Sequence, residues 1–134
     1  MAQLEPGLKG TAQIVVSEAD LASSFGNPEA TVMSSMTLMT LMEQAAIQAL
    51  AGRLAPGEMT VGVGMELRHL APTPPGFRVT ATAELVEVEG RRLTFQVTVE
   101  DEVEKVGEGR HLRVVVDRER FQRQVAEKRA AKEG

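Results

Sequence analysis

Residues 34–57 read SSMTLMTLMEQAAIQALAGRLAPG, and this stretch decides how the rest of the chain must be arranged. It is the longest uninterrupted helical pattern in the sequence. At 100° per residue, Thr37, Gln44 and Gln48 share a narrow polar strip with Thr40 beside it. The opposite arc carries Met36, Met39, Ile47 and Leu50, and Glu43 sits in its middle. A helix with so little polar surface has to be wrapped, and the remainder of the chain reads as strands. A carboxylate on a wrapped arc is costly unless it is paired, hydrogen-bonded or used in chemistry. Glu43 is therefore the first candidate functional residue. Ser34 and Ser35 offer a cap at the start of the helix; Gly52 and Pro56-Gly57 supply the stop, near Gly52 or Leu54.

Downstream the period changes to two. Val61, Val63, Met65, Leu67 and His69 fall on one face of a strand, Gly62, Gly64, Glu66 and Arg68 on the other. His69 closes an otherwise apolar row. The proline-rich linker at 71–76 marks a turn or an edge crossing. Phe77–Val88 and Leu93–Val99 read as strands joined at Glu89-Gly90, and Val106–Val116 as a last strand with Leu112, Val114 and Val116 inward. Upstream, residues 10–16 form a first strand. Ser17, with an acid three residues on, starts a short helix to about Phe25, and Thr31–Met33 could add a brief strand. Asp117 caps a charged C-terminal helix expected to fray after Ala126, leaving about 122–134 as a charged tail. The order of elements predicts an α+β fold, a curved antiparallel sheet wrapped around one long apolar helix, as a single domain over 1–134.

A chain of 134 residues can bury one core. Its net charge of −4 provides no basic footprint for nucleic acid. With no cysteine and two histidines, thiolate chemistry is excluded and neither a metal nor a cofactor is expected. No run of about 18 apolar residues suggests a membrane span, and the N-terminus lacks a signal pattern, so a cytoplasmic location is expected. Six of the seven methionines lie between Met33 and Met65, a distribution suited to core packing or to an adaptable acyl pocket, with Met36 a candidate wall.

Several stretches together resemble one branch of the hotdog fold, the thioesterases similar to fluoroacetyl-CoA thioesterase. They are GLKGTAQIVVSEAD at 7–20, Ser35 with Glu43 eight residues later, TVGVGMELRHLAPTPPG at 60–76, VTATAELVEVEGRRLTF at 79–95 and GRHLRVVVDRERF at 109–121. The resemblance implies that Ser35, Glu43 and His69 act together on an acyl thioester. It also implies that Gly62 brings backbone close to the thioester, and that Arg113 lies near the site. An acyl-CoA substrate follows from it, as does a homodimer or higher oligomer with sites near the subunit interface. The fluoroacetyl-specific enzyme carries phenylalanine in a lid over the stretch matching Gly26–Thr31, where this chain has no aromatic residue. A different short or medium acyl group is therefore expected.

Read from the residues alone, each candidate has a plainer role. Glu43 could pair with an arginine at a dimer seam, Ser35 could be only a helix cap, and His69 only a satisfied core histidine. His111, sharing a face with Gly109, Arg113 and Val115, reads as interfacial or solvated. Arg91 and Arg92, after the hairpin turn, are solvated charges or contacts for the phosphates of coenzyme A. Two other functions fit the fold: a non-catalytic acyl-CoA binding or assembly protein, and a hotdog hydratase. The hydratase usually pairs Asp with His, which Glu43 and His69 do not supply.

Overall fold

The computed structural model describes residues 4–134; Met1–Gln3, part of the expected single domain, lie outside the described residues. Five strands, β1 (Lys9–Val15), β2 (Glu58–His69), β3 (Arg78–Glu89), β4 (Arg92–Glu100) and β5 (Lys105–Asp117), form one antiparallel sheet in the order β1-β3-β4-β5-β2. The β3–β4 and β4–β5 pairs are the hairpins expected from the sequence. In contrast, the linker at 70–77 carries the chain from one sheet edge to the other, placing β3 beside β1 and leaving β2 on the edge beyond β5. Gly90, at φ +62°, occupies the left-handed conformation that the β3–β4 turn requires.

The helix α1 (Ser35–Ala49) lies in the concave face of the sheet. Leu38, Leu41, Met42, Ala45, Ala46 and Ala49 are buried against alternate residues of β3 and β4: Val79, Ala81, Ala83, Leu85, Leu93, Phe95, Val97 and Val99. Small residues let β1 press onto the helix. A Cβ at Gly10 would sit 2.2 Å from the Ala49 nitrogen, so only glycine fits there. Burial of this aliphatic set is the main stabilising term. The helix stops at Ala49, earlier than expected, and turns through Leu50 before Gly52.

Before the helix, the chain makes two short 3₁₀ turns, Glu18–Asp20 and Ala22–Phe25, in place of the single short helix expected. Asp20 still accepts the Ser17 backbone N–H at 2.8 Å, as the spacing predicted. Thr31–Met33 contributes one isolated bridge, Leu21 to Met33, rather than a strand. The second helix, α2 (Arg118–Glu133), begins on Asp117, whose Oδ1 accepts from the Arg120 N–H at 2.9 Å. It continues to Glu133, through the stretch expected to fray, and buries no residue. Among the described residues no helix is long and apolar enough to cross a membrane.

Two expectations about facing are overturned. β2 carries an irregularity between Gly62 and Gly64, where Gly62 pairs with Arg113 and Gly64 with Leu112. The extra residue, Val63, reverses the alternation. Residues paired across an antiparallel ladder share a face, so Gly62 joins Met65, Leu67 and His69 instead of opposing them. On β5 the buried row is His111, Arg113 and Val115, not Leu112, Val114 and Val116. The polar pair turns inward because its hydrogen bonds are satisfied there, as the site geometry shows.

Candidate active site

The helix is not wrapped on every side. Met36, Met39 and Ile47, in the apolar arc around Glu43, are 52%, 36% and 48% exposed, and Val63 on the edge strand is 56% exposed. The Glu43 side chain is itself 48% exposed within one chain. The expected burial of that arc by the chain's own sheet is therefore corrected: the sheet covers the arc of Leu38, Leu41, Met42 and Ala45 and leaves the Glu43 arc open. Ser35, Met39 and Glu43, spaced four apart, line up along this open face.

The candidate residues form two groups, one at the start of the helix and one at its middle. At its start, Ser34 is the cap, accepting from the Thr37 N–H at 2.9 Å. That frees Ser35, whose Oγ lies 2.8 Å from Nδ1 of His69 at the end of β2. Burial lowers the His69 pKa from the ordinary imidazole value, opposed by the Ala71 backbone. No acceptor meets hydrogen-bond geometry at Nε2 of His69, which is buried without a partner. A neutral imidazole with a bare Nδ1 accepts the Ser35 hydroxyl proton, the arrangement that makes an oxygen more nucleophilic; the hydroxyl polarises a carbonyl only by turning that proton away from the ring.

The second group surrounds Glu43. Its Oε2 is 3.4 Å from Nη1 of Arg113 and 3.7 Å from Nε2 of His111. Arg113 donates from Nε to the Thr60 hydroxyl at 2.9 Å and from Nη2 to the Thr60 carbonyl at 3.0 Å, which fixes the guanidinium plane. A Cβ at Gly62 would lie 2.7 Å from Oε2 of Glu43, so glycine alone lets the carboxylate lie against β2. The chain thus brings Glu43 to Gly62 and Arg113, and not to His69. Eight residues of helix separate Ser35 from Glu43, about 12 Å along the axis.

His111 belongs to the group around Glu43, a place that the sequence reading missed. Instead of being solvated or interfacial it is 2% exposed and hydrogen-bonded inside the Glu43 group. Its alternation with Arg113, whose place near the site the resemblance implied, was the signal available. Arg91 binds the Val115 carbonyl at 3.2 Å and faces Glu58 at 3.9 Å, which gives it a structural occupation at the hairpin. Beside the helix, Ile14, Phe25, Met36, Met39, Thr40 and Gln44 line an open cavity of about 370 Å³. Among the described residues no cluster of three His, Asp or Glu could hold a metal.

Comparison with known proteins shows the family. Residues 16–119 match the family described as fluoroacetyl-CoA-specific thioesterase. A fluoroacetyl-CoA thioesterase from Streptantibioticus cattleyicolor is 43% identical over 100 residues, covering 75% of this chain and 72% of that one. A variant of the fluoroacetyl-CoA thioesterase solved in complex with acetyl-CoA superposes with a TM-score of 0.85 at 37% identity, over 93% of this chain and 98% of that one. A Thermus thermophilus member of the thioesterase superfamily, 23% identical, superposes with a TM-score of 0.92 over 99% and 98% of the two chains, a likeness of fold.

Proposed function

Because the chain belongs to the fluoroacetyl-CoA-specific thioesterase family and is a thioester hydrolase of the hotdog fold, we propose that it hydrolyses a short or medium acyl-CoA to the acid and free coenzyme A at sites completed by two copies of the chain. One observation carries the reading: Ser35, with His69 bonded to it, stands about 12 Å along the helix from Glu43 on the same uncovered face, with Met39 midway between. A two-fold axis beside Met39 sets two such helices antiparallel. Each Ser35–His69 pair then faces the partner's Glu43, and the exposed Met36, Met39, Ile47 and Val63 gain cover.

In such a site Glu43, held against Gly62 by Arg113, delivers the attack on the thioester carbonyl as nucleophile or as base for a water. Ser35 turns its hydroxyl proton from Nδ1 of His69 to the developing oxyanion, a contribution worth roughly 10²–10³ in rate for comparable donors. The reaction replaces the C–S bond by a C–O bond, and the departing thiolate takes up the proton that the attacking water supplies. His69, in contact with Ser35, orients that hydroxyl. The cavity beside Met36 and Phe25 gives the acyl chain a flexible apolar wall and room beyond an acetyl group. With no phenylalanine over Gly26–Thr31, nothing in this reading favours a fluorinated substrate.

Mixing two inactive variants tests the arrangement, with thiol release from a panel of acyl-CoAs as the assay. Ser35→Ala and Glu43→Gln are each expected to lose most activity as homodimers. After unfolding and joint refolding, half the dimers are mixed, and each mixed dimer holds one intact site. About a quarter of the parent rate should return. A mixture as inactive as its components would place Ser35 and Glu43 of one site on one chain and overturn the proposal.

A further inference from the structure

His111 makes two hydrogen bonds that between them leave its ring only one protonation state. Nδ1 lies 2.9 Å from the Gly64 carbonyl oxygen, which can only accept, so Nδ1 carries the hydrogen. Nε2 lies 3.1 Å from Nη1 of Arg113, which can only donate, so Nε2 is bare. The 3.7 Å approach of Glu43 to the same Nε2 is consequently no ion pair. The charged groups facing the ring are Glu43 from α1 and Arg113 from its own strand; from β2 it meets Gly62 and Gly64. An imidazolium here would direct a second N–H at a guanidinium.

Burial and the neighbouring Arg113 charge both lower the His111 pKa, against the opposing pull of the Gly64 carbonyl and Glu43. The irregularity around Val63 matters to this arrangement, since it brings the Gly64 carbonyl to the ring while keeping Gly62 beside the carboxylate.

We infer that His111 is a positioning residue: as a neutral acceptor it pins Nη1 of Arg113, and Arg113 in turn fixes the carboxylate of Glu43. The inference rests on Glu43 being the reacting carboxylate. Thr60 holds the other two guanidinium nitrogens. Without His111, Nη1 keeps only the longer contact to Glu43, and the carboxylate gains freedom on the side where it must meet the thioester. Misplacing a reacting group by an ångström costs about 100-fold in favourable cases, so looseness at Glu43 should appear in kcat rather than in KM.

Two measurements test it. In protein labelled with ¹⁵N-histidine only two rings contribute, His69 and His111. Long-range ¹H–¹⁵N spectra at neutral pH should show one ring protonated at Nδ1 and bare at Nε2, absent from His111→Gln. Finding that ring as the Nε2–H tautomer or as a cation would overturn the inference without requiring any variant to be active. In kinetics, His111→Leu should lower kcat roughly 10- to 100-fold with KM little changed. His111→Gln, which can donate to Gly64 and accept from Arg113, should recover most of that loss. In a Glu43→Gln background, His111→Leu should cost nothing further. If Glu43→Gln is inactive while His111→Leu keeps the parent kcat, the positioning role is wrong and the reading of Glu43 stands. If Glu43→Gln itself hydrolyses at the parent rate, both fall.

Discussion

Adding one methyl group at Gly62 tests whether the position of Glu43 governs turnover. Gly62 has no left-handed φ, so its backbone accepts alanine without strain. The new Cβ would sit 2.7 Å from Oε2 of Glu43, 3.2 Å from Cε1 of His111 and 3.3 Å from Nη1 of Arg113. Ordinary contact begins at 3.4 Å, so the carboxylate must retreat by 0.7 Å, the difference between 3.4 and 2.7. It can do so cheaply, because it ends a flexible and half-exposed side chain. Alanine in a strand is also more favourable than glycine by about 0.5–1 kcal/mol, which offsets the crowding. Gly62→Ala should therefore keep its melting temperature while kcat for its best acyl-CoA, followed by thiol release, falls about 10- to 100-fold. Gly10→Ala is the contrasting case. Its Cβ would meet the Ala49 nitrogen at 2.2 Å and the Ala45 carbonyl at 2.5 Å, both backbone of a buried helix, and folded protein should not accumulate. A Gly62→Ala enzyme with kcat within about twofold of the parent would refute the reasoning, because the carboxylate could then move by most of an ångström at no catalytic cost.

The adjacent serines should separate by role. Ser34→Ala removes the cap and should cost about 1 kcal/mol of stability with little effect on rate, whereas Ser35→Ala should leave thermal unfolding nearly unchanged and lower turnover about 100-fold; reversal of the two outcomes would exchange their roles. The pH dependence follows from the histidines, whose pKa values are both lowered in the folded chain. The unfolded chain then binds more protons than the folded one as pH falls below about 6.5, so stability should decline from there and level off once the folded-state values are passed. The catalytic rate should hold to a lower pH than an ordinary imidazole would permit; calorimetry and rate profiles between pH 8 and 5 check both, and a stability that rises on acidification would contradict the assignment.

The strands were legible because alternation reports which residues share a face, and it located β2 to β5 within a residue or so. Alternation does not report which strand lies beside which. The route of 70–77 from one sheet edge to the other depends on where β1 finds a partner, and β1 goes to β3 because Gly10 lets it press onto Ala45 and Ala49. Parity also fails wherever one residue is inserted. Val63 reverses the facing of everything before it on β2, and no pattern of hydrophobicity marks it, since both Val61 and Val63 are apolar. On β5 hydrophobicity pointed the wrong way. It sent Leu112 and Val114 inward, whereas the chain buries His111 and Arg113, each supplied with partners by Thr60, Gly64 and Glu43. A buried polar residue is stable only through such partners, and Gly64 and Thr60 lie 47 and 53 positions away in sequence, Glu43 farther still.

The helix poses the more instructive problem. Its sequence has two apolar arcs, and a hydrophobicity pattern says that both need cover without saying whose surface provides it. Leu38, Leu41, Met42, Ala45, Ala46 and Ala49 are covered by the chain's own sheet, while Met36, Met39 and Ile47 are not. Reading both arcs as wrapped by one sheet made Glu43 a buried charge and brought it to His69, the end of the strand row expected to cover it, with Ser35 joined to them by the resemblance. An α-helix turns the spacing of Ser35 and Glu43 into about 12 Å. What eight residues do preserve is the face, since position 43 returns to within about 80° of position 35, with Met39 between them. The same spacing that separates Ser35 from Glu43 within one chain is what would let two antiparallel copies bring them together. Residue types and spacing could thus nominate the candidate groups, but in the proposed site their assembly depends on a surface that belongs to no single chain.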